Sequence, residues 1–244
     1  MKRVQRIVIP LVFWLAVWQL ASLTVGRELL LPSPLRVGES LLALSRTADF
    51  WLSVGATLGR VFLGLAWGAL MGTALAFLTH FSRWADRIIS PAVRVVRATP
   101  VVSFILLVYL WVPRWAIPWV IAGLMVLPVV WGSLSAGLSS LDGKLLEFAR
   151  AYRFSRLKTL RLVYLPTLWP HVSAGLLTAF GLAWKSGVAA EVICPPAQAI
   201  GSRIQQAKLG LETADLFAWT LSIIMLSLVL EGMLRRGLER GNQV

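Results

Sequence analysis

Five stretches of this 244-residue chain are apolar for about 20 residues or more. A helix rises 1.5 Å per residue, so roughly 20 apolar residues cross a hydrocarbon core of about 30 Å. The stretches are residues 7–25, 54–79, 115–138, 166–192 and 216–234. Such runs are too long for the core of a water-soluble domain. The sequence therefore predicts an all-α fold, a polytopic membrane helical bundle.

A shorter apolar run, residues 98–112, lies between the second and third of these stretches. It becomes a full span if its helix begins at Ile88 and the preceding arginines reach the headgroups. Otherwise it is a re-entrant or buried segment. The first run resembles a signal peptide, but its length, its tryptophans and the absence of a small-residue cleavage site before Gly26 favour a retained helix. We expect about six transmembrane helices.

The charge balance is strongly positive, with 24 Lys and Arg against 11 Asp and Glu. Binding to nucleic acid needs basic residues gathered on a solvated face, whereas here they flank the apolar runs. Sixteen lie on one side of the proposed spans and six on the other, while Arg60 and Lys185 lie inside spans. Cytoplasmic loops carry the excess of Lys and Arg. We expect both termini and the loop of residues 139–165 to be cytoplasmic, and no nucleic-acid partner.

The residues for common catalytic or metal sites are scarce. One cysteine and two histidines exclude an internal disulfide and a Cys/His zinc site, so we expect no metal and no cofactor. The segment Gly181–Ser186 superficially resembles a phosphate-binding loop, but Trp184 occupies the place of the second glycine. No pair of catalytic carboxylates stands out. We predict that the chain is not an enzyme and that any nucleotide is bound by a partner.

Small residues recur every four positions in two of the spans. They are Gly64, Gly68, Gly72 and Ala76, and Gly175, Ala179, Ala183 and Gly187. Such ridges let helix backbones approach closely in lipid. Between the first two spans, Ser33-Pro34 is a good helix start, and Val37, Leu41 and Leu44 follow at helical spacing. We divide the chain into residues 1–53, a first span with an external interfacial segment, and residues 54–244, the membrane core.

The loop of residues 139–165 is long for a connector and has its own helical pattern. Leu145, Phe148, Ala149 and Tyr152 follow the spacing of one apolar helix face. Asp142 and Ser155 are candidate N-caps of two helices, and Pro166 is expected to interrupt the second. A basic amphipathic hairpin lying on anionic lipid has the same pattern, so the pattern alone leaves both interpretations open.

Particular residues in this loop resemble the E-A-A loop of ABC importer membrane subunits. The resemblance rests on Glu147-Phe148-Ala149-Arg150-Ala151-Tyr152-Arg153 and on Val163-Tyr164-Leu165-Pro166, with Pro166 nineteen residues after Glu147. It extends to Leu31-Pro32-Ser33-Pro34, Arg97-Ala98-Thr99-Pro100, Ala189-Ala190-Glu191 and Asp215-Leu216-Phe217-Ala218. The set is similar to the permeases of the nitrate, sulfonate, taurine and bicarbonate importers. Two positions depart from that pattern: Phe148 replaces an alanine, and Arg153 replaces a glycine.

The resemblance implies a type I ABC importer (MetI-like) permease fold in a bacterial inner membrane. The implied partners are cytoplasmic ABC ATPase subunits, a periplasmic or extracellular solute-binding protein, a second copy of the chain in a homodimer, and membrane lipid. The implied substrate is a small anion or organic solute such as a sulfonate, taurine, nitrate or bicarbonate. The residues expected to couple the chain to the ATPase are Glu147, Phe148, Ala149, Arg150, Ala151, Tyr152, Arg153 and Pro166. At Arg153, either the turn is built one residue along or the side chain bears the strain.

Two charged residues lie in the fifth span, Lys185 and Glu191. Six positions apart, they point about 240° around the helix and are not direct partners. Lys185 either lines a pathway and favours an anion or pairs with a neighbouring span. Glu191, near the external end, is expected to make a structural or gating contact. The alternative function is a self-contained secondary carrier or a membrane scaffold whose hairpin binds lipid.

Overall fold

The apolar runs of the sequence form long helices in the computed structural model, which describes residues 2–241 and the side chains of residues 8–239. The helices are α1 (Lys2–Val25), α2 (Pro34–Ser45), α3 (Ala48–Phe81), α4 (Arg83–Ala98), α5 (Val101–Val108), α6 (Ile117–Ser139), α7 (Gly143–Ala151), α8 (Arg156–Thr159), α9 (Leu165–Ile193), α10 (Ile200–Leu209) and α11 (Thr213–Gly241). A π-helical turn, Leu160–Tyr164, joins α8 to α9. Within residues 2–241 there is no β-strand, so the predicted all-α fold is confirmed.

Within residues 2–241, five helical segments are long and apolar enough to cross a membrane. They lie in α1, α3, α6, the continuous run from α8 to α9, and α11. The third expected span differs from the prediction, because α4 and α5 are bent by 105° relative to each other. The bend falls at Thr99 and Pro100, where the proline lacks an N–H and disfavours helical geometry at the residue before it. A straight helix from Ile88 to residue 112 is therefore wrong.

The packing of α3 against α6 explains where this bent pair lies. A Cβ on Gly64 would stand 2.6 Å from the Trp119 carbonyl oxygen, and one on Gly72 would stand 2.7 Å from that of Leu127. Residues later in α3 thus contact residues later in α6. The two helices therefore run parallel. The chain between the end of α3 and the start of α6 must return across the bundle. The α4–α5 pair lies in this return, so we count it as one broken span, which brings the candidate spans of residues 2–241 to six.

The small-residue ridges lie where the helices approach most closely, as predicted. On α9, a Cβ at Gly175 would stand 2.7 Å from the Ser133 side chain, and Ala179 and Ala183 are fully buried. Gly137 of α6 packs against His171 at the start of α9, so these two helices run antiparallel. Together α3, α6 and α9 enclose the main apolar core.

A second layer covers the end of the bundle where α3 begins. Ser33 caps α2 by accepting a hydrogen bond from the Arg36 backbone N–H, which confirms the predicted helix start. Val37 is buried, and Leu41 and Leu44 pack against a cluster that includes Phe50 and Trp219. Because α3 runs through residue 53 without a break, the proposed division between residues 1–53 and 54–244 falls inside one helix. That division stays a prediction.

Candidate functional site

The first arm of the hairpin is α7, which begins and ends with local hydrogen bonds. The Asp142 carboxylate accepts from the Lys144 N–H at 2.8 Å, which confirms the predicted cap. At the other end, Arg153 has φ of 51°, in the left-handed region. The Phe154 N–H bonds to the Ala149 carbonyl at 2.9 Å, and the Arg153 N–H to the Arg150 carbonyl at 3.0 Å. These two bonds define a Schellman turn, a helix end that usually uses glycine.

The sequence left two expectations at Arg153, a turn built one residue along or a side chain that bears the strain. The structure shows the strained side chain. The turn is built at Arg153 itself, and a side chain there costs about 1–2 kcal/mol relative to glycine. The apolar contact that accompanies such turns is also present, since the rings of Phe148 and Phe154 lie 6.1 Å apart, edge to face. The Schellman turn therefore forms at Arg153 without a glycine.

The second arm of the hairpin begins at the predicted N-cap but does not end where the sequence predicts. Ser155 accepts from the Lys158 N–H at 3.3 Å and caps α8 as expected. The expected interruption at Pro166 is wrong, because the helix continues from Arg156 to Ile193. The π-helical turn ends just before the proline, with the Leu165 N–H bonded to the Leu160 carbonyl. This wider turn gives the proline ring space that a regular α-helical turn would not.

The four residues of the predicted apolar face of α7 differ in exposure. Ala149 is 3% exposed and packs against its own chain, whereas Leu145, Phe148 and Tyr152 are 48%, 50% and 67% exposed. The rings of Phe148 and Tyr152 lie 4.3 Å apart and form one patch with Leu145. We call these three side chains the outer face of α7. The other predicted coupling residues, Glu147, Arg150, Ala151, Arg153 and Pro166, are also exposed.

A groove of about 610 Å³ lies between α6 and α9 and reaches the end of α4. Its lining includes Arg97, Met125, Gly132, Ser133, His171, Thr178 and Leu182, with no carboxylate. Lys185 is exposed and lies one turn beyond Leu182 on the same face of α9. In residues 8–239 no carboxylate lies within ion-pair distance of Lys185. The expected alternative, an ion pair between Lys185 and a neighbouring span, is therefore not found among residues 8–239.

Glu191 has a different environment, since its side chain is fully buried. One carboxylate oxygen pairs with Arg60 Nη1 at 3.1 Å. The other accepts from the Thr57 hydroxyl at 2.8 Å and from the Gly201 N–H at 3.3 Å. Every contact of the carboxylate thus comes from α3 or from the start of α10.

The partners of Glu191 are themselves tied to the segment between α9 and α10. Arg60 Nη1 also donates to the Gln198 carbonyl at 2.7 Å, and the Ile200 N–H donates to the Thr57 hydroxyl at 3.0 Å. We call Glu191, Arg60 and Thr57 with these backbone groups the Glu191 clamp. It holds α3, α9 and α10 together, and Glu191 lies outside the groove beside α6. Within residues 8–239, no group of three or more His, Cys, Asp or Glu is placed to hold a metal ion.

Several residues of these sites were not singled out from the sequence. Arg60 was noted only as a charge inside a span, and Thr57, Arg97 and His171 were not assigned a role. One feature of the sequence could have indicated the Glu191 clamp. Intramembrane charges usually pair, and the second and fifth spans carry charges of opposite sign, Arg60 and Glu191.

The fold and the hairpin define a class, the multi-pass α-helical membrane proteins that present a helical hairpin at one end of the bundle. Residues 64–236 match the model of one family within that class, described as binding-protein-dependent transport system inner membrane component. The match covers more than half of the chain, and the chain belongs to this family.

Named relatives agree with the assignment. The putative aliphatic sulfonates transport permease protein SsuC of Escherichia coli (strain K12) is 30% identical over 182 residues, which cover 73% of this chain and 68% of that protein. The taurine transport system permease protein TauC of the same organism is 27% identical over 225 residues, covering 89% and 81%. A crystal structure of an amino acid ABC transporter with histidines has the same fold, with a TM-score of 0.60 at 22% identity, covering 77% of this chain and 89% of that one.

This membership confirms the predicted ABC importer permease and its MetI-like fold. The chain is a multi-pass inner-membrane transport component rather than an enzyme, and its family implies an ATPase and a solute-binding protein as partners. The alternatives of a self-contained carrier or a scaffold receive no support from the comparisons.

Proposed function

We propose that two copies of this chain form the pathway of an importer for a small organic solute that carries a sulfonate group, such as an alkanesulfonate or taurine, and that the hairpin of residues 139–165 couples the pathway to a separate cytoplasmic ATPase. The observation that carries the coupling role is the outer face of α7. Three large apolar side chains are exposed there on a short helix that ends in a defined turn. Exposed apolar patches of this kind are typical of protein-binding sites.

Coupling through this face is helix-in-groove recognition. Leu145, Phe148 and Tyr152 supply the apolar surface, while the exposed charges of Glu147 and Arg150 orient the helix. ATP bound to the ATPase and a loaded solute-binding protein must favour different states of the bundle, since a ligand shifts only an equilibrium between states it binds unequally. The predicted placement of both termini and the hairpin in the cytoplasm agrees with this role and rests on the distribution of Lys and Arg.

The groove beside α6 supports the substrate class. Arg97 lies in its lining, which contains no carboxylate, and Lys185 lies one turn beyond Leu182 of the lining, so the local potential favours an anionic group. The relatives named for aliphatic sulfonates and taurine act on molecules that carry a sulfonate group. Nitrate and bicarbonate, the other substrates suggested by the sequence, are anions as well. We propose Lys185 as a residue of the pathway and the Glu191 clamp as a contact that keeps its external end closed.

The coupling role is tested with Glu147→Lys. We expect normal membrane insertion and at least a tenfold loss in ATPase association, about 1.4 kcal/mol, because the reversed charge opposes docking of the outer face of α7. Co-purification of the ATPase and stimulation of its hydrolysis are the measurements. Glu212→Lys, at an exposed glutamate just before α11 that also lacks a cation within ion-pair distance in residues 8–239, is the matched control. Normal association and transport-coupled hydrolysis in Glu147→Lys would refute the assignment.

The pathway role is tested with Lys185→Met in the assembled complex. Removing the cation from the groove should lower uptake of taurine or an alkanesulfonate into proteoliposomes by about tenfold, while the amount of assembled complex is unchanged. Lys208→Met, an exposed lysine on α10, is the control. Uptake equal to that of the unaltered complex would remove Lys185 from the pathway.

A further inference from the structure

A second groove, about 700 Å³ in volume, lies between the hairpin and the end of α3. Its wall is mostly apolar, and two arginines stand at its rim. The residues that matter here are Phe77, Phe81, Leu160, Tyr164, Arg150 and Arg156. We propose that this groove, the lipid groove, binds one molecule of anionic phospholipid, with an acyl chain along the aromatic wall and the phosphate between the two arginines.

The position of the lipid groove along the membrane normal fits this ligand. At 1.5 Å per residue, the 34 residues of α3 extend about 51 Å, well beyond a hydrocarbon core of about 30 Å. Phe81 ends that helix, and Trp84, three residues later, is 75% exposed. Exposed tryptophan is enriched at the level of the lipid headgroups. The groove therefore opens where acyl chains meet phosphates.

Charge selects an anionic lipid over a neutral one. Arg150 and Arg156 are exposed, and in residues 8–239 no carboxylate lies within ion-pair distance of either. The lining of the groove contains no acidic residue. Lys158 adds a third cation, with its ammonium 4.4 Å from the centre of the Phe154 ring. Guanidinium groups bind phosphate with two parallel hydrogen bonds, and basic pockets beside membrane helices recognise anionic headgroups.

The geometry of α7 favours a lipid over a second protein in this groove. Leu146 and Ala149 line the groove on the inner side of α7, whereas Leu145, Phe148 and Tyr152 point outward. A protein that docks on the outer face of α7 would leave the groove to the bilayer. Arg150 is the one residue that the lipid groove shares with the proposed ATPase contact. Failure of the lipid proposal would leave the outer face of α7 and the proposed substrate untouched.

The test counts lipids bound to the purified importer by native mass spectrometry. Phosphatidylglycerol and phosphatidylcholine with identical acyl chains are titrated in mild detergent. We expect phosphatidylglycerol to be retained at least tenfold more tightly. The double variant Arg150→Gln/Arg156→Gln should lose that preference, whereas Arg94→Gln/Arg161→Gln, which removes two exposed arginines outside the groove, should keep it. Equal retention by the two double variants would overturn the proposal.

A second measurement keeps both arginines and so does not depend on the folding of those variants. Phe81 is replaced by photoreactive p-benzoylphenylalanine in membranes that contain phosphatidylglycerol. A cross-link to lipid is expected, and a cross-link to the ATPase or to a second copy of the chain would identify a protein interface instead. Displacement of phosphatidylglycerol by millimolar glycerol 3-phosphate would show an anion site that does not use the acyl chain, and would also overturn the proposal.

Discussion

Glu191 and Glu147 are both glutamates with a predicted functional role, and the structure gives them opposite environments. Glu191 is fully buried and has an arginine, a hydroxyl and a backbone N–H as partners. Glu147 is exposed at the other end of the bundle, and no cation of residues 8–239 lies within ion-pair distance of it. The first carboxylate is satisfied inside the chain, and the second is available to another molecule.

This difference indicates that Glu191 stabilises the fold, whereas Glu147 is available to bind a partner. A buried charge without its counter-charge is costly, so changes to the Glu191 clamp should act on stability first. An exposed residue contributes little to the free energy of unfolding, so changes on the hairpin should act on association first. Measuring both the stability of the permease and its association with the ATPase in each variant therefore tests the comparison.

The largest effect is expected for Arg60→Met. It leaves the Glu191 carboxylate buried without its cation, which costs about 3–5 kcal/mol. The unfolding temperature and the yield of the detergent-purified permease should both fall. Arg46→Met removes an exposed arginine near the same end of the bundle and should change stability by no more than about 0.5 kcal/mol.

The double variant Arg60→Met/Glu191→Met sharpens this prediction. Removing both charges leaves no unpaired ion, so most of the lost stability should return. If the double variant were as unstable as Arg60→Met, the clamp would not act as a coupled pair, and the contrast with Glu147 would fail.

A smaller effect is expected for Phe148→Ala, and on a different quantity. The ring is half exposed, so the unfolding temperature of the permease should barely change, whereas ATPase association should weaken by about tenfold, or 1.4 kcal/mol. Phe13→Ala, an aromatic of similar exposure on α1, is the control for association. Lower stability with unchanged association would place Phe148 among the residues that hold the fold.

The smallest effect is expected for Arg153→Gly. Glycine takes the left-handed conformation freely but loses more conformational entropy on folding, so the change should raise stability by up to about 1 kcal/mol, less than the full strain at Arg153. Arg94→Gly, inside α4, should instead lower it by about 1 kcal/mol, because glycine weakens a helix interior. Thermal unfolding of the two variants is the measurement. A similar loss in both would mean that Arg153 does not need a left-handed backbone.

Two prolines show how far local sequence rules reached in this chain. Pro100 stands at a sharp bend, and Pro166 stands inside a continuous helix. Either proline could break a helix, because proline lacks an N–H and crowds the preceding turn. The sequence predicted an interruption at Pro166 only. Which one breaks depends on the neighbouring turn, since a π-helical turn precedes Pro166 and an extended residue, Thr99, precedes Pro100. Nothing in the proline itself distinguishes them.

Local sequence patterns are enough to predict the membrane bundle, the helix caps at Ser33, Asp142 and Ser155, the small-residue ridges and the family motif. Each depends on residues close together in the chain or on the thickness of a bilayer. The folded chain was needed to show that α3 and α6 run parallel, that Ala149 faces inward while Phe148 faces outward, and that Glu191 pairs with Arg60, 131 residues away. These features arise from contacts between distant segments, which no local pattern specifies.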